Sequence, residues 1–198
     1  GYKGLLTAQT AEAVWQLTQQ KLTGEDFRVR GLIARSNVEL ICTTDDPVDT
    51  LEWHQKLAAD PTFHTAVLPA WRPDKAMNLE KPAYLDYLRA LEQASGVTVR
   101  TFTDLKAALA NRMAYFHANR CRLSDHALRY AMYAPASDAQ VEQIFQNRLA
   151  GIPITEQEEL QFKTAFILFV AGEYRKLGWT MQLHYGCRRD NNTDMFAL

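Results

Sequence analysis

Apolar positions along the chain keep two rhythms. Short runs of strand length, rich in β-branched and apolar residues, alternate with longer stretches whose apolar residues recur every three to four positions. The short runs are "VELICTT" (Val38–Thr44), "HTAVLPAW" (His64–Trp71), "CRLS" (Cys121–Ser124) and "TMQLHYG" (Thr180–Gly186). The first helix is predicted over Thr7–Leu22, with Val14, Leu17 and Leu22 on one side. A second lies within "DDPVDTLEWHQKLAA", where Asp49 and Glu52 resemble a capping box, and a third runs Pro82–Ser95 with its proline near the first turn. Thr101–Arg120 places Leu105, Leu109, Met113 and Phe116 on one stripe.

Two more helices carry complete start and stop signals. Ser137 with Gln140 opens one and Gly151 ends it. Thr155 with Glu158 opens the other, Ile154 stands in the staple position, and Gly178 ends it. Within the latter, Phe162, Phe166 and Phe169 form an aromatic stripe that reads as core packing. A strand followed by helix, repeated along the chain, predicts an α/β fold with a parallel sheet. The long helices and short strands leave an all-α fold as the alternative.

Composition narrows the class. At 198 residues and 47% hydrophobic, the chain supports one sizeable core and a single domain. Its 22 basic and 23 acidic residues nearly cancel, and no basic stripe is present, which argues against nucleic acid and against a membrane surface as partners. Three widely spaced cysteines, Cys42, Cys121 and Cys187, form no C-x-x-C, so a reducing, cytoplasmic setting is expected. The longest apolar run, "TAFILFVAG" (Thr164–Gly172), is too short to span a bilayer.

In parallel α/β folds ligands bind beyond the carboxyl ends of the strands, and all four predicted strand ends are polar. They read "TTDDP" (Thr43–Pro47), "WRPDK" (Trp71–Lys75), "SDH" (Ser124–His126) and "HYGCRRDNN" (His184–Asn192). Together they can hold a small, oxygen-rich anion and move protons on it. Each has a plainer reading. "TTDDP" can be loop and N-cap chemistry, "WRPDK" a solvated turn, and "SDH" a helix cap with a passenger histidine. His184 is followed by Gly186, which allows close backbone approach to a ligand, so function is favoured there. His54, His64 and His117 read as structural. No G-x-G-x-x-G, G-x-x-x-x-G-K, G-x-S-x-G or H-E-x-x-H occurs, so phosphate-loop and serine acyl-transfer chemistry lose ground to sugar-acid chemistry.

Taken in order, "TTDDPVDTLEWH", "LPAWRPDKA", "CRLSDHAL" and "GWTMQLHYG…RDNNTDMF" resemble the uronate isomerase (glucuronate isomerase) family of the metal-dependent amidohydrolase superfamily. The resemblance runs from Gly1 to Leu198. It implies part of a (β/α)8 TIM-type barrel, about four of its strands, with residues 1–30 a helical insertion and 38–198 successive β/α units. It implies interconversion of D-glucuronate with D-fructuronate and of D-galacturonate with D-tagaturonate. By the same resemblance Asp125 and His184 are the catalytic residues, and Arg72, Trp71, Arg189 and Asn191 bind the uronate. Asp190 and Asp194 depart from the family pattern of Asn and Arg.

The family's divalent metal, expected to be zinc, is held by an H-x-H and a distant aspartate. This chain has no H-x-H, so the segment alone is expected to bind no metal and to be inactive, as the middle of a longer, homo-oligomeric enzyme. Two further readings stand beside this one. They are a hydrolase or decarboxylase on the same barrel, and a sugar-acid binding module without catalysis.

Overall fold

Helix starts follow side chains that satisfy the first backbone donors, and three boundaries show it. In the computed structural model, which describes residues 2–187 and 191–196, Ser137 and Thr155 each cap a helix and close a reciprocal box with Gln140 and Glu158. Thr101 does the same with Asp104, a box with Asp in place of the usual Glu or Gln that the sequence reading passed over. Gly178 ends the long helix in the left-handed conformation, φ 67°, which a Cβ would disfavour.

The helices are α1 (Ala11–Leu22), α2 (Val29–Arg35), α3 (Glu52–Ala58), α4 (Asp74–Met77), α5 (Tyr84–Ser95), α6 (Phe102–Ala118), α7 (Asp138–Leu149), α8 (Glu156–Leu177) and α9 (Thr193–Phe196). The strands are β1 (Leu40–Cys42), β2 (Ala66–Leu68), β3 (Leu123–Ala127) and β4 (Thr180–His184). The fold is therefore mixed α/β, with helices dominating and few strands. No described helix is long and apolar enough to cross a membrane.

Several boundaries moved, each for a local reason. The first helix begins at Ala11 because Thr7–Thr10 is tied into a turn by the Thr10 N–H on the Thr7 carbonyl, 3.1 Å. The helix expected to start at Asp49 begins at Glu52, because Leu51 stands at φ 54°, outside the helical region. The third strand does not end at Ser124. It pairs parallel with β4 residue by residue, from Leu123 opposite Thr180 to Ala127 opposite His184. Asp125 and His126 therefore sit inside a strand rather than in the loop after it.

The chain divides into two compact units, Gly1–Ile41 with Gln55–Val67, and Cys42–His54 with Leu68–Leu198. In the first, α1 and α2 bury no residue fully. Polar–aromatic contacts hold it instead. Arg30 pairs with Asp60 at 2.7 Å and lies over the Phe63 ring, while Lys21 and Arg35 flank Phe27.

The second unit contains the core. Leu105, Leu109, Met113 and Phe116 of α6 are all buried, as their stripe predicts, against Phe145 of α7 and Phe162 and Phe166 of α8. Trp71 links the strands. Its N–H donates to the Leu123 carbonyl at 3.1 Å and its carbonyl accepts from Asp125 N–H at 2.8 Å. On its other side it makes a parallel bridge to Asp45. Its indole, without exposed surface, meets Phe116 edge-on at 4.9 Å and Trp179 at 6.2 Å.

Arg112 of α6 organises the loop after β1. Its guanidinium donates to the carbonyls of Pro47 (2.7 Å), Asp49 (2.8 Å) and Ala94 (3.1 Å), and it lies over the Tyr115 ring. Three backbone carbonyls from two segments thus share one side chain. Arg112→Ala is expected to destabilise the protein by about 3–5 kcal/mol, and Arg112→Lys to recover only a minor part, since one ammonium cannot reach all three carbonyls. Urea unfolding of the three proteins measures this.

Candidate active site

Side chains alternate across a strand, and this alternation sorts the chemistry into two faces. Ser124 and His126 point to the side of Trp71, toward α8. Asp125 and Arg72 point to the opposite side, and the register puts His184 there too, opposite Ala127. Asp125 is 6% exposed and accepts from a terminal nitrogen of Arg72 through Oδ2. His184 Nδ1 lies 2.6 Å from Asp125 Oδ1, with a side chain 62% exposed. That contact is close but poorly aligned as a hydrogen bond, and among the described residues Oδ1 has no aligned donor. Arg72 Nε stands 3.9 Å from Asp74 Oδ2, and the Asp74 carboxylate accepts from Ala127 N–H at 3.1 Å. One buried carboxylate thus sits between a guanidinium and an imidazole whose other nitrogen is left for a ligand.

Behind this face His126 is fully buried. Its Nε2 is 3.1 Å from the Tyr174 hydroxyl, and its Nδ1 is 3.9 Å from Asp74 Oδ1. Burial pulls the imidazole down to about pKa 4; Asp125 opposes the shift and Arg72 adds to it. His126 is therefore neutral at physiological pH. It packs behind the face that carries Asp125, against Tyr174. Burial likewise drives the Tyr174 phenol far above its ordinary range.

A network after β1, unrecognised as a unit from sequence, fixes the backbone that bears Arg72. The Asp45 carboxylate accepts from the Thr43 hydroxyl (2.6 Å) and Ala70 N–H (3.1 Å), and the Asp45 carbonyl accepts from Arg72 N–H at 2.9 Å. His54 Nε2 meets the Thr43 hydroxyl at 2.7 Å. His54 is thus structural, as read. "TTDDP" is loop chemistry in the service of its neighbour.

The structure brings Arg72, Asp125 and His184 together. Trp71, expected to touch substrate, turns its side chain to the other face. Its indole is sealed in the core, and it acts by holding Arg72 in place from the opposite face. Arg189 lies outside the described residues. Asn191 is exposed and is not among the residues lining the cavities next described.

Two cavities meet at this face. One, of about 450 Å³, is lined by Arg72, Ala127, Leu183, His184, Tyr185 and Cys187. The other, of about 740 Å³, adds Asp74, Asn78, Lys81 and Arg129 to Arg72, Ala127 and Cys187. Arg129 and Lys81 were missed. Ending the third strand at Ala127 instead of Ser124 makes Leu128–Arg129 the start of its loop, and that register was the signal available. No group of three His, Cys, Asp or Glu side chains converges as a metal site among the described residues. Asp125 and His184 engage each other and supply two donors at most, fewer than a metal ion takes from a protein.

Fold and site define a mixed α/β protein that gathers an arginine, an aspartate and a histidine on one face at the ends of parallel strands. A family model described as Glucuronate isomerase matches residues 1–198, and the chain belongs to that family. It is 57% identical over 195 residues to the uronate isomerase of Lachnoclostridium phytofermentans, covering 98% of this chain and 42% of that protein. It is 56% identical over 192 residues to that of Lachnospira eligens, covering 97% and 41%. A crystal structure of uronate isomerase from Thermotoga maritima superposes with a TM-score of 0.88 at 30% identity, over 98% of this chain and 43% of that one. The chain thus spans well under half the length of the relatives it matches.

The depressed His126 makes stability depend on pH. The unfolded state binds a proton near pH 6.5 and the folded state only near pH 4, so stability is complete above pH 6.5 and falls as pH drops toward 4. The His126 contribution is about 2 kcal/mol between pH 6.5 and 5. Urea unfolding at the two pH values should show that loss, and His126→Gln should remove most of it. An unchanged difference in the variant would assign the pH dependence to other groups.

Proposed function

We propose that this chain carries the strand-end half of a uronate isomerase site, for D-glucuronate to D-fructuronate and D-galacturonate to D-tagaturonate. The observation that supports it most is the buried Asp125 carboxylate held between Arg72 and His184, two residues that line a cavity at the strand ends. Aldose–ketose isomerisation needs a base at C2, charge stabilisation at O1 and O2, and proton return at C1. His184 Nδ1 faces Asp125, which leaves Nε2 for the substrate. Nε2 takes the C2 proton, the C2–H electrons form the C1=C2 bond of a cis-enediolate, and O1 gains negative charge beside Arg72. The proton then moves from Nε2 to C1 as the C2 carbonyl forms and the O2 proton passes to O1. Asp125 orients the imidazole and balances its transient charge.

The strands fit part of a (β/α)8 barrel, with residues 1–30 a helical insertion and 38–198 successive β/α units. A divalent metal, zinc by preference, belongs to parts of the family's length that this chain does not span, and no step above runs through it. We place the enzyme in the cytoplasm as a homo-oligomer.

The test uses an enzyme of full family length carrying this chain. His184→Ala and Asp125→Asn are expected to lower kcat for D-glucuronate by about 10²–10⁴. Arg72→Lys should raise KM and lower kcat by about tenfold, because the planar fork is lost. Near-normal turnover in the first two variants would move proton transfer to other residues.

A further inference from the structure

Two buried donors near the strand ends have no partner of their own. Arg72 Nε belongs to the side of the cavities and His126 Nδ1 to the side of α8, and neither meets an aligned acceptor among the described residues. Both face one carboxylate. Asp74 Oδ2 stands 3.9 Å from Arg72 Nε, and Asp74 Oδ1 stands 3.9 Å from His126 Nδ1. The same carboxylate accepts at 3.1 Å from the N–H of Ala127, the residue opposite His184 in the ladder. At 3.9 Å neither side-chain contact is a hydrogen bond. A charge facing a buried donor across that gap still acts on it strongly, because little water screens it.

The groups behind His126 decide which of its nitrogens carries the proton. The Tyr174 hydroxyl lies 3.1 Å from His126 Nε2, and the Ser124 hydroxyl and the Trp71 indole N–H both reach toward the same phenol oxygen. Neither of those two has an aligned partner elsewhere among the described residues. An indole N–H only donates, so the Tyr174 oxygen accepts on that side and turns its own hydrogen to Nε2. The neutral ring then holds its proton on Nδ1, the nitrogen that faces Asp74. On the cavity side Arg72 is approached along two edges. Asp125 accepts from a terminal nitrogen, and Asp74 stands off Nε. A planar guanidinium held at one point swings about that contact, whereas a second carboxylate on another edge fixes its plane. Tyr174, His126, Asp74 and Arg72 thus form one chain of facing polar atoms from α8 to the cavities.

We propose that Asp74 is a positioning residue that couples the buried Tyr174–His126 pair to Arg72 and fixes the plane of its guanidinium. The inference rests on the isomerase reading, and it concerns how Arg72 is aimed. Tyr174 and His126 are sealed behind the strand and line neither cavity at the site, so they act on Arg72 only through Asp74. An aspartate in the first turn of α4 also has a plainer use, as a partner for the helix N-terminus. That use alone affects stability and leaves the kinetics of the enzyme unmoved.

In an enzyme of full family length carrying this chain, Asp74→Asn, Tyr174→Phe and the double variant are compared with the unaltered protein. Asparagine keeps an oxygen for the Ala127 N–H and loses the charge that Arg72 and His126 face. Asp74→Asn is expected to lower kcat/KM for D-glucuronate by about 10–100-fold, with the loss divided between kcat and KM as in Arg72→Lys. Asp74→Glu should return part of it. Tyr174→Phe should lower kcat/KM by about 3–10-fold alone, and by less than about twofold when residue 74 is already asparagine. Thermal unfolding of each protein reads packing separately, and His126→Gln takes the place of Tyr174→Phe in the cycle if the latter does not fold. A lowered Tm with unchanged kcat/KM in the single variants, or losses that multiply independently in the double variant, would overturn the coupling. Calorimetric titration with D-glucuronate keeps the two readings apart. Turnover with independent losses would sink the coupling and keep the isomerase reading; binding without turnover, weakened non-additively by the same variants, would do the reverse. No binding and no turnover would sink both.

Discussion

Everything at the candidate site depends on the backbone of Trp71. This residue bridges Asp45 on one side and Ser124 on the other, and its indole is locked among Phe116, Trp179 and Tyr174. A side chain of that size buried without exposed surface fixes the rotation of its own strand, because any slip by one residue would drive a guanidinium into the core. Arg72 therefore projects to the cavity for the reason that Trp71 cannot. The same parity carries across the ladder, so Ser124 and His126 share the side of Trp71 and Asp125 shares that of Arg72.

Burial then makes the polar groups on both faces demanding. An ionised Asp125 at 6% exposure is tolerable only with a cation in contact, which Arg72 provides. On the helix-facing side the neutral His126 meets the Tyr174 hydroxyl, so neither ring buries a charge. The pair gives the strand a rigid back. Rigidity of this kind is what proton transfer requires, since a base displaced by an ångström loses much of its advantage.

Much of the helical framework was legible. Ser137–Gln140 and Thr155–Glu158 are local capping devices, complete within four residues, and both form. The apolar stripe of Leu105, Leu109, Met113 and Phe116 is buried as its spacing implies. Of the site, Arg72, Asp125 and His184 were recognisable from their motifs. That the Trp71 indole turns into the core was not legible, because a motif position does not reveal which face a residue turns to water. Arg129 and Lys81 were invisible, one because the third strand was ended three residues early, the other because α4 and the turn after it carry no strong start signal.

The sequence by itself determined where the helices with complete capping signals begin and stop, which residues are apolar enough to form the core, and which polar clusters stand near strand ends. Those properties depend on neighbours within a turn or two, so a linear reading reaches them. Only the tertiary structure decided that Asp125 lies inside a strand, that it stands between Arg72 and His184, and that Arg129 shares a cavity with Arg72. Strand register is set by pairing between segments more than fifty residues apart, from Leu123 opposite Thr180 onward. No local pattern encodes that pairing. It follows from burying Trp71, Phe116, Tyr174 and Trp179 together.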